Sequence, residues 1–206
     1  MKKNPYSGKF IVFEGLDGSG QSTQVALLEE FLKTKRYKVL KTKEPTKQSR
    51  AGRIIEKALN KKTKISPKKL QELFCQDRKW HLKNVVIPAL KKDKIVICDR
   101  YFFSTLAYGM AEGLSLKNLT KLNEKFLLPD IIFFLDVRPA ICLQRIEKRG
   151  EEKALFEEKE KLEKVYVYYK KALKEFEKVT KIFIINGERS IEEVFSKIKK
   201  IIQTHM

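Results

Sequence analysis

Residues 10–23 read F-I-V-F-E-G-L-D-G-S-G-Q-S-T, from Phe10 to Thr23, and this stretch decides the fold. Phe10 to Glu14 is an apolar run of the kind that forms a strand covered on both faces. It passes without a spacer into Gly15 to Thr23, and then into a helical period marked by Val25, Leu28, Phe31 and Leu32. Strand, glycine-rich turn and helix in that order are the context a phosphate-binding loop requires. Gly15, Gly18 and Gly20, with Ser19 between them, let the backbone curl into a nest whose N–H groups point at phosphate oxygens. The helix N-terminus behind the nest adds its partial positive charge. Ser22 stands where a hydroxyl would ligate Mg²⁺, and Thr23 completes the Ser-Thr pair. A serine that merely caps a helix is the plainer reading, and it leaves the agreement of strand, glycines and helix unexplained. One position departs from the pattern. Gln21 stands where a lysine is expected, and glutamine brings amide donors without a full charge. Charge building up in a transition state would then need another cation.

Four further strand candidates follow: Val39 to Thr42, which is shorter, and the apolar runs Ile95 to Cys98, Ile131 to Leu135 and Ile182 to Ile185. Helical periods lie between them. Leu70, Leu73, Phe74 and His81 mark one, and Leu162, Val165, Tyr166, Tyr169, Leu173 and Phe176 mark another. Ile191, Val194, Phe195, Ile198 and Ile202 mark the last, with Ser190 placed to cap it. Alternating strands and helices predict an α/β three-layer fold, a five-stranded parallel sheet with helices on both faces. Ligands of such sheets bind at the carboxyl ends of the strands, where the polar residues after these runs fall.

Composition narrows the classes. The chain has 206 residues, 42% hydrophobic and 34% charged, a balance that fits one globular unit rather than a disordered chain. No apolar run reaches membrane-spanning length, and the N-terminal M-K-K-N-P-Y-S-G lacks the apolar stretch of a secretory signal. Cys75, Cys98 and Cys142 are scattered thiols, without metal spacing and odd in number, which suits a reducing cytoplasm. The net charge of +19 comes mostly from lysines spread along every segment, so it predicts a solvated surface and no specific nucleic-acid partner.

The other polar runs carry the chemistry. K-E-P-T spans Lys43 to Thr46, L-F-C-Q-D-R-K-W-H spans Leu73 to His81, and I-C-D-R-Y-F-F-S-T-L-A-Y spans Ile97 to Tyr108. L-D-V lies at Leu135 to Val137, R-I-E-K-R-G at Arg145 to Gly150, F-E at Phe156-Glu157 and N-G at Asn186-Gly187. Taken together, and over nearly the whole chain, these runs resemble the thymidylate kinase family of P-loop nucleotide kinases. They match its R-E-P segment, its L-F-A-x-D-R-x-x-H helix and its D-R-Y-x-x-S-x-x-A-Y pattern, the last being the most specific. The resemblance implies the P-loop NTPase fold with a small helical lid, one domain over residues 1–206, and a lid at about 146–158. It implies phosphoryl transfer from ATP to dTMP, Mg²⁺ held by Ser22 and Asp99, and a homodimer. It also implies roles for single residues. Asp17 would meet the sugar 3′-hydroxyl, Phe74 would stack on thymine, and Arg78 would reach a base carbonyl. Arg100 would hold the acceptor phosphate, Tyr108 would crowd the sugar 2′ position, and Ser104 and Thr105 would lie beside the base. Asn186 would turn near the adenine.

The departures from the family pattern are as specific as the matches. Gln21 replaces the loop lysine, Gly109 stands where many members have Gln, and Gly18 stands where some carry arginine. Leu155 and Tyr166 stand where many members have Arg. The transition-state cation should therefore come from Arg145 or Arg149, with Arg149 favoured beside Gly150. A phosphate monoester is mostly dianionic at neutral pH, its second pKa being about 6, so the acceptor needs no general base. Positioning and charge neutralisation suffice, and the planar fork of arginine suits the clamp. Asp99 reads equally as a helix N-cap. Asp77 and Arg78 read as a cleft-facing or a surface pair. His81, Tyr166, Tyr168 and Tyr169 read as structural, and Trp80 as packing or interface. Three other functions compete: a nucleotide-binding protein that lost transfer with the lysine, a kinase for another (deoxy)nucleoside monophosphate, and a basic nucleic-acid-binding ATPase, for which no recognition motif appears.

Overall fold

The structure, a computed structural model, describes residues 1–148 and 155–205, and of residues 155–158 the backbone alone. Five parallel strands form one sheet: β1 (Phe10–Gly15), β2 (Val39–Lys43), β3 (Ile95–Asp99), β4 (Ile131–Asp136) and β5 (Lys181–Asn186), in the order β2-β3-β1-β4-β5. All five are strands the apolar runs predict, each extended by one or two residues. The helices are α1 (Gln21–Thr34), α2 (Arg50–Leu59), α3 (Pro67–His81), α4 (Ile87–Leu90), α5 (Phe102–Ala111), α6 (Leu116–Asn123), α7 (Pro139–Glu147), α8 (Leu155–Phe176) and α9 (Ile191–His205). A π-helical turn, Leu82–Val86, joins α3 to α4.

Strand alternation sends the central residues to two cores. Phe10, Val12, Val96, Cys98, Ile132 and Phe134 pack on one face with residues of α5 and α8, among them Phe102, Leu106, Val165 and Phe176. Ile11, Phe13, Ile97, Ile131 and Phe133 pack on the other with Val25 and Leu28 of α1 and Val194 and Ile198 of α9. Each such side chain contributes about 1.5–3 kcal/mol on leaving water, which is why the central strands are apolar without interruption. A third, small cluster of Ala51, Ile55 and Leu73 joins α2 to α3.

Local chemistry sets the helix starts. The side chains of Ser49 and Ser66 accept from the Gly52 and Lys69 amides at the N-termini of α2 and α3. Ser190 caps α9 as predicted: its Oγ accepts from the Glu193 N–H (3.2 Å), while the Glu193 carboxylate accepts from the Ser190 N–H (3.0 Å). Asp99 does not cap α5, since it ends β3 and the capping position falls on Tyr101. Between them Arg100 takes a left-handed φ of 71°, held by its N–H bond to Phe13 O (2.9 Å). That conformation costs a non-glycine residue about 1–2 kcal/mol, and such costs gather at functional sites.

Candidate active site

The phosphate loop sits where β1 hands over to α1. Gly20 occupies the N-cap of α1 at φ 95°, with no side-chain cap, so the helix opens onto the loop cavity. Gly18, at φ 83°, lies so close to α7 that a Cβ there would come within 2.5 Å of Cys142 O. The loop cavity, about 130 Å³, is lined by Leu16 to Thr23 with Lys43 and Arg100. Ser22 Oγ donates to Asp99 Oδ2 (2.6 Å), and Lys43 Nζ stands 3.3 Å from the same oxygen. Three buried polar atoms at this place, Ser19 Oγ, Gln21 Nε2 and Asp99 Oδ1, have no hydrogen-bond partner among the described residues. Buried polar atoms are normally paired. Here the loose acceptor beside a serine hydroxyl suits a hydrated divalent cation, and the loose amide suits a phosphate oxygen. Mg²⁺ takes one or two protein oxygens and keeps waters, so the donor set fits it.

A second cavity, about 290 Å³, opens beside the first and is lined by Asp17, Lys43, Phe74, Arg78, Arg100, Ser104, Thr105 and Tyr108, among others. The sequence separates these residues by up to 91 positions, and the parallel sheet brings their elements together at its carboxyl edge. Asp17, Lys43 and Arg100 line both cavities. A larger groove of about 810 Å³, between α3, α4 and α6, shares no residue with the loop.

Arg100 is the hub between the cavities. Its Nη2 donates to Asp17 Oδ1 (2.8 Å), and its Nη1 donates to Gly15 O (3.0 Å), Ser104 Oγ (3.1 Å) and Tyr169 Oη (3.2 Å). Burial opposes its charge, but Asp17 and Tyr108 outweigh that and hold its pKa well above the ordinary arginine value. Tyr108 donates to Asp17 Oδ2 (2.8 Å), with the Arg100 guanidinium 5.8 Å from its ring centre. Burial pushes the Tyr108 hydroxyl up, with Asp17 adding to it, so it remains a donor.

Arg78 is fully buried and does not pair with Asp77. Its Nε donates to Glu44 Oε2 (2.8 Å), Nη1 to Asn123 Oδ1 (2.5 Å) and Nη2 to Thr105 Oγ1 (2.9 Å). Asp77, also buried, instead accepts from the Thr46 N–H (2.8 Å) and Oγ1 (2.6 Å) and from Ser49 Oγ. The surface-pair reading is therefore excluded. His81 is structural, its ring bridging Glu44 Oε1 (3.0 Å) and Thr42 Oγ1 (2.7 Å).

At the other side of the loop, Arg145 Nη2 donates to Gly187 O (2.9 Å) and its Nη1 lies 3.5 Å from Ser19 O. Arg145 thus ties α7 to the loop and to the turn after β5. Asn186 is exposed at that turn, its Oδ1 accepting from the Glu188 N–H (3.0 Å). Arg149, with residues 150–154 of the expected lid, lies outside the described residues.

Sequence reasoning missed three participants. Tyr169, read as packing, donates its hydroxyl to Glu14 Oε2 (3.0 Å) and accepts from Arg100 Nη1 (3.2 Å). Glu14 reads as the end of a strand, yet its carboxylate lies buried behind Arg100. Lys43 appears in the sequence only as part of a matching run, and the structure sets it on both cavities. The lone carboxylate in F-I-V-F-E, in a strand otherwise apolar, is the signal that could have found Glu14.

A phosphate loop at the carboxyl end of the central strand, beside a second cavity joined to it by shared charges, defines a P-loop nucleotide kinase. The sequence model of the thymidylate kinase family matches residues 13–198. The thymidylate kinase of Caldicellulosiruptor saccharolyticus is 40% identical, covering 95% of this chain and 96% of the relative. A probable thymidylate kinase of Pyrococcus horikoshii is 39% identical over the same shares. The chain belongs to the thymidylate kinase family, and it is an enzyme of that class.

Proposed function

We propose that the enzyme transfers the γ-phosphoryl group of ATP to dTMP, giving dTDP and ADP. The observation that carries this reading is the meeting of the two cavities at Asp17, Lys43 and Arg100. A donor phosphate on the loop and an acceptor phosphate on Arg100 then lie side by side. The family match and the names of the relatives supply the substrate pair.

In this reading the loop amides and the α1 N-terminus bind the donor phosphates, with Gln21 Nε2 donating to one oxygen. Arg100 presents its fork to the acceptor phosphate. Phe74 offers a ring face to the thymine, Arg78 and Thr105 bring donors to the base edge, and Ser104 lies beside it. Tyr108 and Asp17 hold the sugar, the tyrosine crowding the 2′ position and the carboxylate accepting from the 3′-hydroxyl. Asn186 lies on the adenine side. Mg²⁺ held by Ser22 Oγ and Asp99 would neutralise charge on the transferring phosphates. Lys43 and Arg100 are the side-chain cations lining the loop cavity, and Arg145 and Arg149 remain the candidates for a further one. With these charges retained, loss of transfer through Gln21 is not favoured. One domain over residues 1–206 and a homodimer belong to the same reading, supported by the family match.

The test is a coupled ADP-release assay across nucleoside monophosphates. dTMP should give the highest kcat/KM, and thymidine, which leaves the Arg100 clamp empty, should be a poor acceptor. A higher kcat/KM for UMP, CMP or AMP would sink the assignment.

A further inference from the structure

The Glu14 carboxylate has no part in the substrate contacts above. Strand alternation puts Phe10, Val12 and Glu14 on one face of β1, under α5 and α8, where Glu14 is fully buried. A carboxylate there is costly unless its oxygens are bonded, and four bonds reach them. Oε1 accepts from the N–H groups of Tyr101 (2.8 Å) and Ser104 (3.3 Å) at the start of α5. Oε2 accepts from Ser104 Oγ (2.6 Å) and from Tyr169 Oη (3.0 Å) of α8.

Both hydroxyls also face Arg100, whose Nη1 lies 3.1 Å from Ser104 Oγ and 3.2 Å from Tyr169 Oη. They stand 2.7 Å apart, so the carboxylate, the two hydroxyls and the guanidinium form one closed cluster. Each hydroxyl has a single hydrogen. An ionised Oε2 draws those hydrogens to itself and leaves oxygen lone pairs turned toward Nη1. A neutral carboxyl would add a third hydrogen, which one of the hydroxyls must accept, and so redistribute the donors among the two hydroxyls and the guanidinium.

The geometry points to Glu14 as the positioning residue of the acceptor clamp: its ionised carboxylate, acting through Ser104 and Tyr169, sets the Arg100 guanidinium and couples that setting to α8. This rests on the reading of Arg100 as the holder of the acceptor phosphate. The charged or titratable groups facing Glu14 are Cys98 of β3, Arg100 after β3 and Tyr169 of α8, while Ser104 and the Tyr101 N–H come from α5 and β4 brings Phe134. Burial raises the carboxyl to about 7, against the opposing pull of Ser104, Arg100, Tyr101 and Tyr169, so its charge changes within the working pH range.

The experiment is the pH profile of kcat/KM for dTMP, which reports the free enzyme and the free substrate. The wild-type profile should fall on two limbs as pH drops, one from the substrate phosphate near ~6 and one from Glu14 at about 7. Glu14→Gln should keep the first limb and lose the second. At pH ~8 it should lower kcat/KM for dTMP about tenfold through KM, with the KM for ATP unchanged. Tyr169→Phe, which leaves the carboxylate in place, should lower it about threefold. A Glu14→Gln enzyme with the wild-type dTMP KM and both limbs overturns the proposal. If that variant does not fold, Tyr169→Phe decides, and an unchanged kcat/KM overturns it. A wild-type protein inactive on dTMP overturns the acceptor reading and this proposal with it. An active wild type with an indifferent Glu14→Gln overturns the proposal alone.

Discussion

Ser22 Oγ donates to Asp99 Oδ2 across 2.6 Å, joining the first turn of α1 to the end of β3. The bond holds one oxygen of the aspartate and leaves Oδ1 buried without a partner among the described residues. That arrangement suits a metal ion shared by the serine and the aspartate. Asp99→Asn should therefore raise the Mg²⁺ concentration needed for half-maximal rate at least tenfold, because it removes the carboxylate that meets Ser22. Titrating Mg²⁺ at fixed ATP and dTMP reads this directly, and an unshifted midpoint would remove Asp99 from the metal role.

Arg100→Ala should separate the two substrates. The guanidinium makes charge-assisted bonds, each worth roughly 1.5–3 kcal/mol, and its proposed ligand is the acceptor phosphate. Transfer to dTMP should fall by a factor of a hundred or so, while ATP affinity by calorimetric titration changes by no more than about threefold. An equal loss of ATP affinity would assign Arg100 to the donor instead.

Tyr108→Ala should widen sugar tolerance. The ring stands over Arg100 and its hydroxyl holds Asp17, so it fills space beside the sugar. Removing it should bring the ribonucleotide acceptor within about tenfold of dTMP. Tyr108→Phe keeps the crowding and loses only the bond to Asp17, so it should keep the discrimination. A ratio of deoxy to ribo rates that is the same in all three proteins would take Tyr108 out of that role.

Gln21→Lys should change kcat only modestly, because Lys43 and Arg100 already line the loop cavity. Lys43→Ala should lower kcat about tenfold or more by removing one of those charges, and Arg149→Ala should be as severe if Arg149 supplies the transition-state cation. Steady-state rates at saturating Mg²⁺, ATP and dTMP compare the variants with the parent. An inactive parent rescued by Gln21→Lys would show that the missing lysine had abolished transfer.

Glu14 also sets a pH dependence of stability. Its folded pKa is raised by burial from 4.5 to about 7, so between those values the folded state binds more protons than the unfolded chain. The contribution is fully present below the unfolded pKa and is lost as pH rises through the folded one. The loss is roughly 3 kcal/mol at most. The difference in unfolding free energy between wild type and Glu14→Gln, measured in denaturant from pH ~4 to pH ~8, should therefore shift toward the variant as pH rises. A difference that does not vary with pH would show that Glu14 titrates alike in the folded and unfolded states and that burial does not raise its pKa.

Much of this was legible in the sequence because it is local. The three central strands were visible as apolar runs, since a parallel strand covered on both faces favours apolar residues, and the edge strands β2 and β5 as runs in the same alternation with helices. The phosphate loop was visible because its glycines, hydroxyls and helix are contiguous, and the cap on α9 because Ser190 and Glu193 are neighbours in one turn. The D-R-Y run and the Leu73 to His81 run carried the resemblance to the family.

Partner choice among distant residues lay beyond the sequence. Asp77 and Arg78 are adjacent in the chain, and side chains at successive helix positions do not face each other. One therefore turned to Thr46 and Ser49, and the other to Glu44, Asn123 and Thr105. Tyr169 keeps the helical spacing of a core residue, and only the packing of α8 over α5 reveals that its hydroxyl meets Glu14 and Arg100. Asp99 carries the residue type of a helix cap, yet the left-handed Arg100 after it moves the helix start two residues on and frees the carboxylate for Ser22. The sequence alone determined the sheet, the loop and the family, because strand burial and turn geometry depend on residues close together in the chain. The tertiary structure alone decided which charges meet, because the carboxyl edge of a parallel sheet gathers the ends of strands that lie tens of residues apart.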